Sequence, residues 1–259
     1  MAGGSPGPPA AASTDLALGL ELAGVADAIT TAAFRRPDLA VETKPDLTPV
    51  TEADRAVEDA LRAELGRRRP GDAVVGEERG TTGAGSRRWI VDPIDGTKNF
   101  VRGIPVWATL LALEVDGVLT VGVVSAPALG RRWWAARGQG AWAASPPSPG
   151  TAQRLSVSAV ADVADAQLSY SDLGGWEARG GAGAVVELAR RCWRSRAFGD
   201  FWSHVLVAEG ACDIGLDPVV SLWDLAALQV IVEEAGGRFT DLDGVPRADG
   251  GSAISSNGR

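Results

Sequence analysis

The chain has 259 residues, 45% hydrophobic and 22% charged, a balance suited to one large soluble domain or two small ones. Its net charge of −8 leaves no basic excess to neutralise a phosphate backbone, which excludes the ordinary nucleic-acid binders. Two cysteines and a single histidine exclude a Cys/His zinc cluster and a disulfide framework, and Cys192 and Cys212 read as buried reduced thiols.

Residues 1–13 are small residues and prolines with nothing to pack, the pattern of a disordered tail. No Lys or Arg precedes Arg35, so a basic secretory segment is absent. No stretch approaches the ~18 continuous apolar residues of a membrane span. A cytoplasmic protein with no membrane partner is expected. Asp15 to Arg36 carries helical periodicity through Leu16, Leu20, Ala23, Val25 and Ile29, and Pro37 breaks it. Lys44 to Pro49 is a polar, proline-interrupted loop, and Thr51 is placed to cap a second helix running to about Arg69.

After Gly71 the period shortens. Strands are expected at 72–76, ending at Glu77-Glu78, and at 88–91, ending at Asp92. Three more are expected at 107–114, 118–125 and 132–136, with Asp116-Gly117 as a hairpin turn. The Pro- and Ser-rich stretch from Ala144 to Gly150 divides an α+β half (14–150) from an α/β half (151–259). There strands at 166–170, 193–197, 212–216 and 237–241 alternate with helices at 183–192, 201–209 and 224–234. The expected class is α/β (α+β), one layer stacked beside a more antiparallel one.

Four acids lie against strongly apolar sequence. Glu77 follows Ala73-Val-Val, Asp92 follows Trp89-Ile-Val, Asp95 stands beyond Pro93-Ile94, and Asp224 follows Leu222-Trp223. Carboxylates at the mouths of buried strands are costly unless paired or bound to metal, and hard divalent cations such as Mg²⁺ select oxygen ligands. Pro93 stiffens the spacer between Asp92 and Asp95, leaving the Ile94 carbonyl as a further oxygen. Gly96 permits a tight turn, and Gly96 and Thr97 offer backbone amides and a hydroxyl as a phosphate cradle. Cations and phosphate would then share one site, as metal-assisted phosphoryl transfer requires.

Glu77-Glu78, Trp89 through Phe100, and Trp223-Asp224-Leu-Ala-Ala227, in this order, resemble the inositol monophosphatase family over about Asp15 to Gly258. Covalent phospho-aspartate phosphatases separate their two acids by one residue; here two intervene, which argues against that mechanism. The resemblance implies an αβαβα sandwich, usually homodimeric, with two or three Mg²⁺ ions per site. It implies Glu77, Asp92, the Ile94 carbonyl, Asp95 and Asp224 as metal ligands. It further implies Thr97 and Asp54 as the pair that orients and deprotonates an attacking water, with Glu77 in the same catalytic group and the Gly96 and Thr97 amides on the phosphate. The implied reaction is direct in-line attack on a small phosphate monoester with no covalent intermediate. The resemblance also implies a short terminal helix beyond Arg259.

Substrate choice lies downstream. Gly199-Asp200-Phe201-Trp202 is similar to the histidinol-phosphatase branch, which serves histidine biosynthesis, and Asp217 matches the acid that meets the substrate alcohol. Asp95, Asp200, Trp202 and Asp217 are therefore the candidate substrate contacts. Acids beside the metal site suit a cationic amino-imidazole alcohol, and Trp202 either stacks on it or lies in the core. Asp200 either meets the ammonium or caps a helix, and His204 reads as a helix residue with a hydrogen-bond partner. Inositol-1-phosphate or another polyol phosphate is the alternative substrate, and an idle binding protein on the same scaffold is a second alternative. A doubly phosphorylated substrate would need a basic cluster that the sequence lacks.

Overall fold

A computed structural model describes residues 14–44, 48–145 and 152–259. The expected tail and most of the 144–150 boundary lie outside the described residues. The chain runs α1 (Thr14–Ala33), β1 (Val41–Thr43), β2 (Pro49–Thr51), α2 (Glu52–Arg68), β3 (Ala73–Gly76), β4 (Gly80–Thr82), β5 (Arg87–Asp95) and α3 (Thr97–Val101). It continues through β6 (Ala108–Val115), β7 (Val118–Ala126), β8 (Arg131–Ala136), β9 (Ala141–Ala144), β10 (Gln153–Arg154), β11 (Gln167–Tyr170), α4 (Leu173–Ala178) and α5 (Ala182–Arg191). The last elements are β12 (Arg194–Arg196), α6 (Asp200–Ala208), β13 (Ile214–Asp217), α7 (Leu222–Glu234), β14 (Arg238–Thr240) and β15 (Ala253–Ser256).

Two large sheets and three helical layers make an αβαβα sandwich, with β1 and β2 paired as a small third sheet. The eight-stranded sheet has order β10-β9-β8-β7-β6-β5-β3-β4 and is antiparallel except where β3 meets β5. The five-stranded sheet, β12-β11-β13-β15-β14, is parallel on one side of β13 and antiparallel on the other.

Strand alternation sorts the side chains into layers. Trp89, Val91, Leu111, Leu113, Val121 and Val123 face α1 and α2, whereas Ile90, Leu110, Ala112 and Val124 face α6 and α7. Leu168 and Leu216 of the second sheet pack outward with Trp176 and Val185 of α4 and α5. Helix α7 lies between the sheets, and every residue from Leu225 to Val232 is buried, so its apolar character runs all round rather than along one stripe. Gly122 lets it approach: a Cβ there would stand 2.4 Å from the Ala227 carbonyl oxygen.

Several boundaries differ from expectation. Strand β5 does not stop at Asp92; it continues to Asp95 with a register shift between the two acids, because β6 goes on pairing across the irregularity. Strands β4, β9 and β15 and helix α4 were not anticipated, being short or weakly patterned. Cys212 is buried, but Cys192 is only half-buried, and both are free. Helix α1, 20 residues with a mean hydropathy of 1.4, is long and apolar enough to cross a membrane. This amends the expectation that no such stretch exists. In the fold its Leu16, Leu18, Leu22, Ala23 and Ala26 are buried in the core shared with α2 and the large sheet.

Candidate metal and substrate site

The site is a cleft of about 390 Å³ where the C-terminal end of β5, the start of α3, the N-termini of α6 and α7 and the end of β13 meet. The β5 irregularity turns both Asp92 and Asp95 towards it. Oxygens of Asp92, Asp95 and Asp224 lie within 4.8 Å of one another. Asp92 accepts the Ile94 amide at 3.0 Å, Asp95 accepts the Phe201 amide at 2.8 Å, and Asp224 closes a capping box by accepting the Ser221 amide at 2.6 Å.

Electrostatically the trio is strained without a counter-ion. Burial first, and then the charges of Glu77 and the neighbouring acids, pushes Asp92 well above the usual carboxylate range. Burial and the charge of Asp200 do the same to Asp95, and burial pushes Asp224 up to about 7. Three crowded, oxygen-only donors of this kind fit a hard divalent cation. The Ile94 carbonyl and Glu77 border the same cleft. Glu77 stands beside the trio, and Lys44 donates to it at 2.7 Å and to Glu78 at 2.5 Å.

Thr97 begins α3 behind Gly96, whose φ of 79° and 3.0 Å Cβ approach to the Val106 carbonyl admit only glycine comfortably. The Thr97 hydroxyl is shared between the Ile94 carbonyl at 2.9 Å and Asp54 Oδ1 at 3.4 Å. Asp54 is fully buried at N3 of α2, where its Oδ2 accepts the Thr51 amide at 2.8 Å and the Thr51 hydroxyl at 2.5 Å. The expected Thr51 cap is thus a reciprocal capping box that also aims Oδ1 at Thr97. Burial pushes Asp54 up to about 6.

Asp200 and Asp217 also line the cleft, Asp200 close beside Gly96. Asp200 holds a φ of 49°, a strained conformation for a non-glycine residue, and its Oδ2 accepts from Asn99 Nδ2 at 3.2 Å. Burial pushes it up to about 6. Asp217 ends β13 and is buried. Of the two readings of Trp202, its ring takes the packed one, 5.2 Å from that of Phe198 and against the core. Lys44 and Asn99 were missed, whereas His204 sits in α6 with hydrogen-bond partners as expected. One signal existed for Lys44: it and Lys98 are the only lysines in an arginine-rich chain, and both come to this region.

A family model described as the inositol monophosphatase family matches residues 13–256. The chain belongs to the inositol monophosphatase family. Within that family it is 59% identical over 245 residues to the histidinol-phosphatase of Mycobacterium tuberculosis, with 94% of each chain covered. It is 54% identical to the histidinol-phosphatase of Streptomyces coelicolor, covering 95% of this chain and 93% of that one. Among solved structures, the Thermotoga maritima IMPase superimposes with a TM-score of 0.83 at 30% identity, covering 95% and 93% of the two chains. Inositol monophosphatases are metal-dependent, in keeping with the acidic nest on the cleft floor.

Proposed function

We propose that this chain is an Mg²⁺-dependent phosphate-monoester hydrolase that converts histidinol phosphate and water to histidinol and phosphate. The observation that carries the reading is the union, in one cleft, of the Asp92, Asp95 and Asp224 nest with a second pair of acids, Asp200 and Asp217. The identity to two histidinol-phosphatases over nearly the whole chain supports the substrate assignment.

Asp92, Asp95, Asp224, the Ile94 carbonyl and Glu77 would hold two or three Mg²⁺ ions. The chemistry such ions supply when bound is neutralisation of phosphate charge and acidification of water. Asp54 is a suitable general base, since a carboxyl near 6 both ionises at neutral pH and accepts a proton readily. Its Oδ2 is occupied by Thr51, so Oδ1 would receive the proton through the Thr97 hydroxyl, which donates to it at 3.4 Å and would take the proton of the water it orients. The Gly96 and Thr97 amides would hold the phosphate. Asp200 and Asp217 would meet the ammonium and imidazole, disfavouring a neutral polyol whose hydroxyls bring no charge to them. A cytoplasmic homodimer completes the reading.

Purified protein with Mg²⁺ should release phosphate from histidinol phosphate far faster than from inositol-1-phosphate, fructose bisphosphate or 3′-phosphoadenosine 5′-phosphate. Asp92→Asn should abolish the release. Preference for inositol-1-phosphate overturns the substrate assignment, and unchanged turnover in Asp92→Asn overturns the metal assignment.

A further inference from the structure

His204, the sole histidine, lies one helical turn beyond Asp200 on α6 and is fully buried. Its neighbours Phe201, Val205, Val207 and Ala208 are apolar and buried, so an apolar residue would fill this position without desolvating a ring nitrogen. Instead both nitrogens are engaged. Nε2 lies 2.7 Å from Asp217 Oδ2 and Nδ1 lies 2.8 Å from Ser255 Oγ.

A neutral imidazole satisfies the whole chain in one proton arrangement. The Ser255 hydroxyl donates to Nδ1, and Nε2–H donates to Asp217, which can only accept as a carboxylate. The backbone is built around this relay. Strands β13 and β15 pair Gly215 directly with Ser255. A Cβ on Gly215 would stand 2.6 Å from Ser255 Oγ and 3.4 Å from His204 Nδ1, so the glycine leaves the space that the hydroxyl and the ring use. Phe239 closes the other side, its ring centroid 5.6 Å from that of His204. Every strand that borders this ring therefore contributes to fixing it, and the relay ends on an acid that lines the cleft.

We propose that His204 is a positioning residue for substrate recognition: its Nε2–H fixes Oδ2 of Asp217 so that Oδ1 is presented to the cationic end of the substrate, and Ser255 fixes the tautomer that does so. The proposal rests on the reading of Asp217 as a substrate contact. Such a role separates binding from chemistry, because the hydrolytic residues belong to other elements: Asp54 to α2 and Thr97 to α3.

The test is steady-state kinetics with Mg²⁺ on histidinol phosphate and on β-glycerophosphate, which carries no cation, for His204→Leu, His204→Gln, Ser255→Ala and Asp217→Asn. His204→Leu should raise KM for histidinol phosphate roughly tenfold relative to β-glycerophosphate, the scale of one lost charge-assisted hydrogen bond. The ratio of the two kcat values should stay constant. His204→Gln keeps an N–H donor and should recover most of the loss, and Ser255→Ala should shift KM the same way by a smaller factor. Should His204→Leu fail to fold, the Gln and Ser255→Ala variants carry the comparison.

Equal KM changes on both substrates, or none, would overturn the positioning role. A raised KM in Asp217→Asn with unchanged values in the His204 variants would remove the proposal alone. An unchanged KM in Asp217→Asn would remove the recognition reading and the proposal with it.

Discussion

Replacing Asp224 with Asn should stabilise the metal-free protein while eliminating its metal-dependent activity. Burial pushes this carboxyl from 3.8 up to about 7. At about 1.4 kcal/mol per unit, forcing it to ionise in the metal-free fold costs roughly 4 kcal/mol. The unfolded chain ionises near 3.8, so the stability contributed by the neutral form is fully present below that pH and is lost as pH rises through about 7. Asn carries no charge and keeps an oxygen to accept the 2.6 Å bond from the Ser221 amide. Asp92 shares the nest and takes part of the relief, so about half the cost, roughly 2 kcal/mol, should be recovered. For a chain of this length that is about 4–8 °C in Tm. Calorimetry in EDTA should show the gain at about pH 8 and little of it near pH 4, where the wild-type carboxyl is already protonated. Adding Mg²⁺ should raise the wild-type Tm and leave the variant nearly unmoved, because only the intact nest binds the ion tightly. A variant melting at or below the wild-type temperature at about pH 8 in EDTA would refute the view that crowded, buried carboxylates strain this site.

Asp54→Asn should lower kcat by about 100-fold or more, while wild-type kcat should fall on the acid side as Asp54 protonates near 6; a pH–rate profile without that limb would exclude it as the base. Asp200→Ser should raise KM for histidinol phosphate roughly tenfold and leave that for inositol phosphate nearly unchanged, checked by parallel saturation curves. Gly122→Ala drives a methyl into the Ala227 carbonyl across the α7–sheet contact and should destabilise the protein by about 1–3 kcal/mol in urea melts, with the Mg²⁺ dependence of activity retained.

Much of this site was legible along the chain because its chemistry is local. Asp92, Pro93, Ile94, Asp95, Gly96 and Thr97 form one continuous segment, and apolar runs before Asp92 and Asp224 mark strand and helix ends that meet the cleft. Asp54 came from the family resemblance, and its reciprocal bond with the Thr51 cap is a feature of the fold. Lys44 could not be paired with Glu77 from its own surroundings, because it follows β1, whose place is set by antiparallel pairing with β2. Trp202 was left open between two readings for a different reason. Helical spacing fixes which residues share a face of α6 but not which way that face turns, and tertiary packing gave its ring to Phe198.

The sequence by itself picked out the acids that meet in the cleft, the turn at Gly96 and the general layering, because each depends on residue type and short-range pattern. Tertiary structure alone decided that β13, β15 and α6 converge, so that Ser255, His204 and Asp217 become one hydrogen-bonded row ending in the cleft. That row spans three elements distant in the chain, and no local periodicity encodes a contact between strands whose pairing is fixed only when both sheets close on α6 and α7.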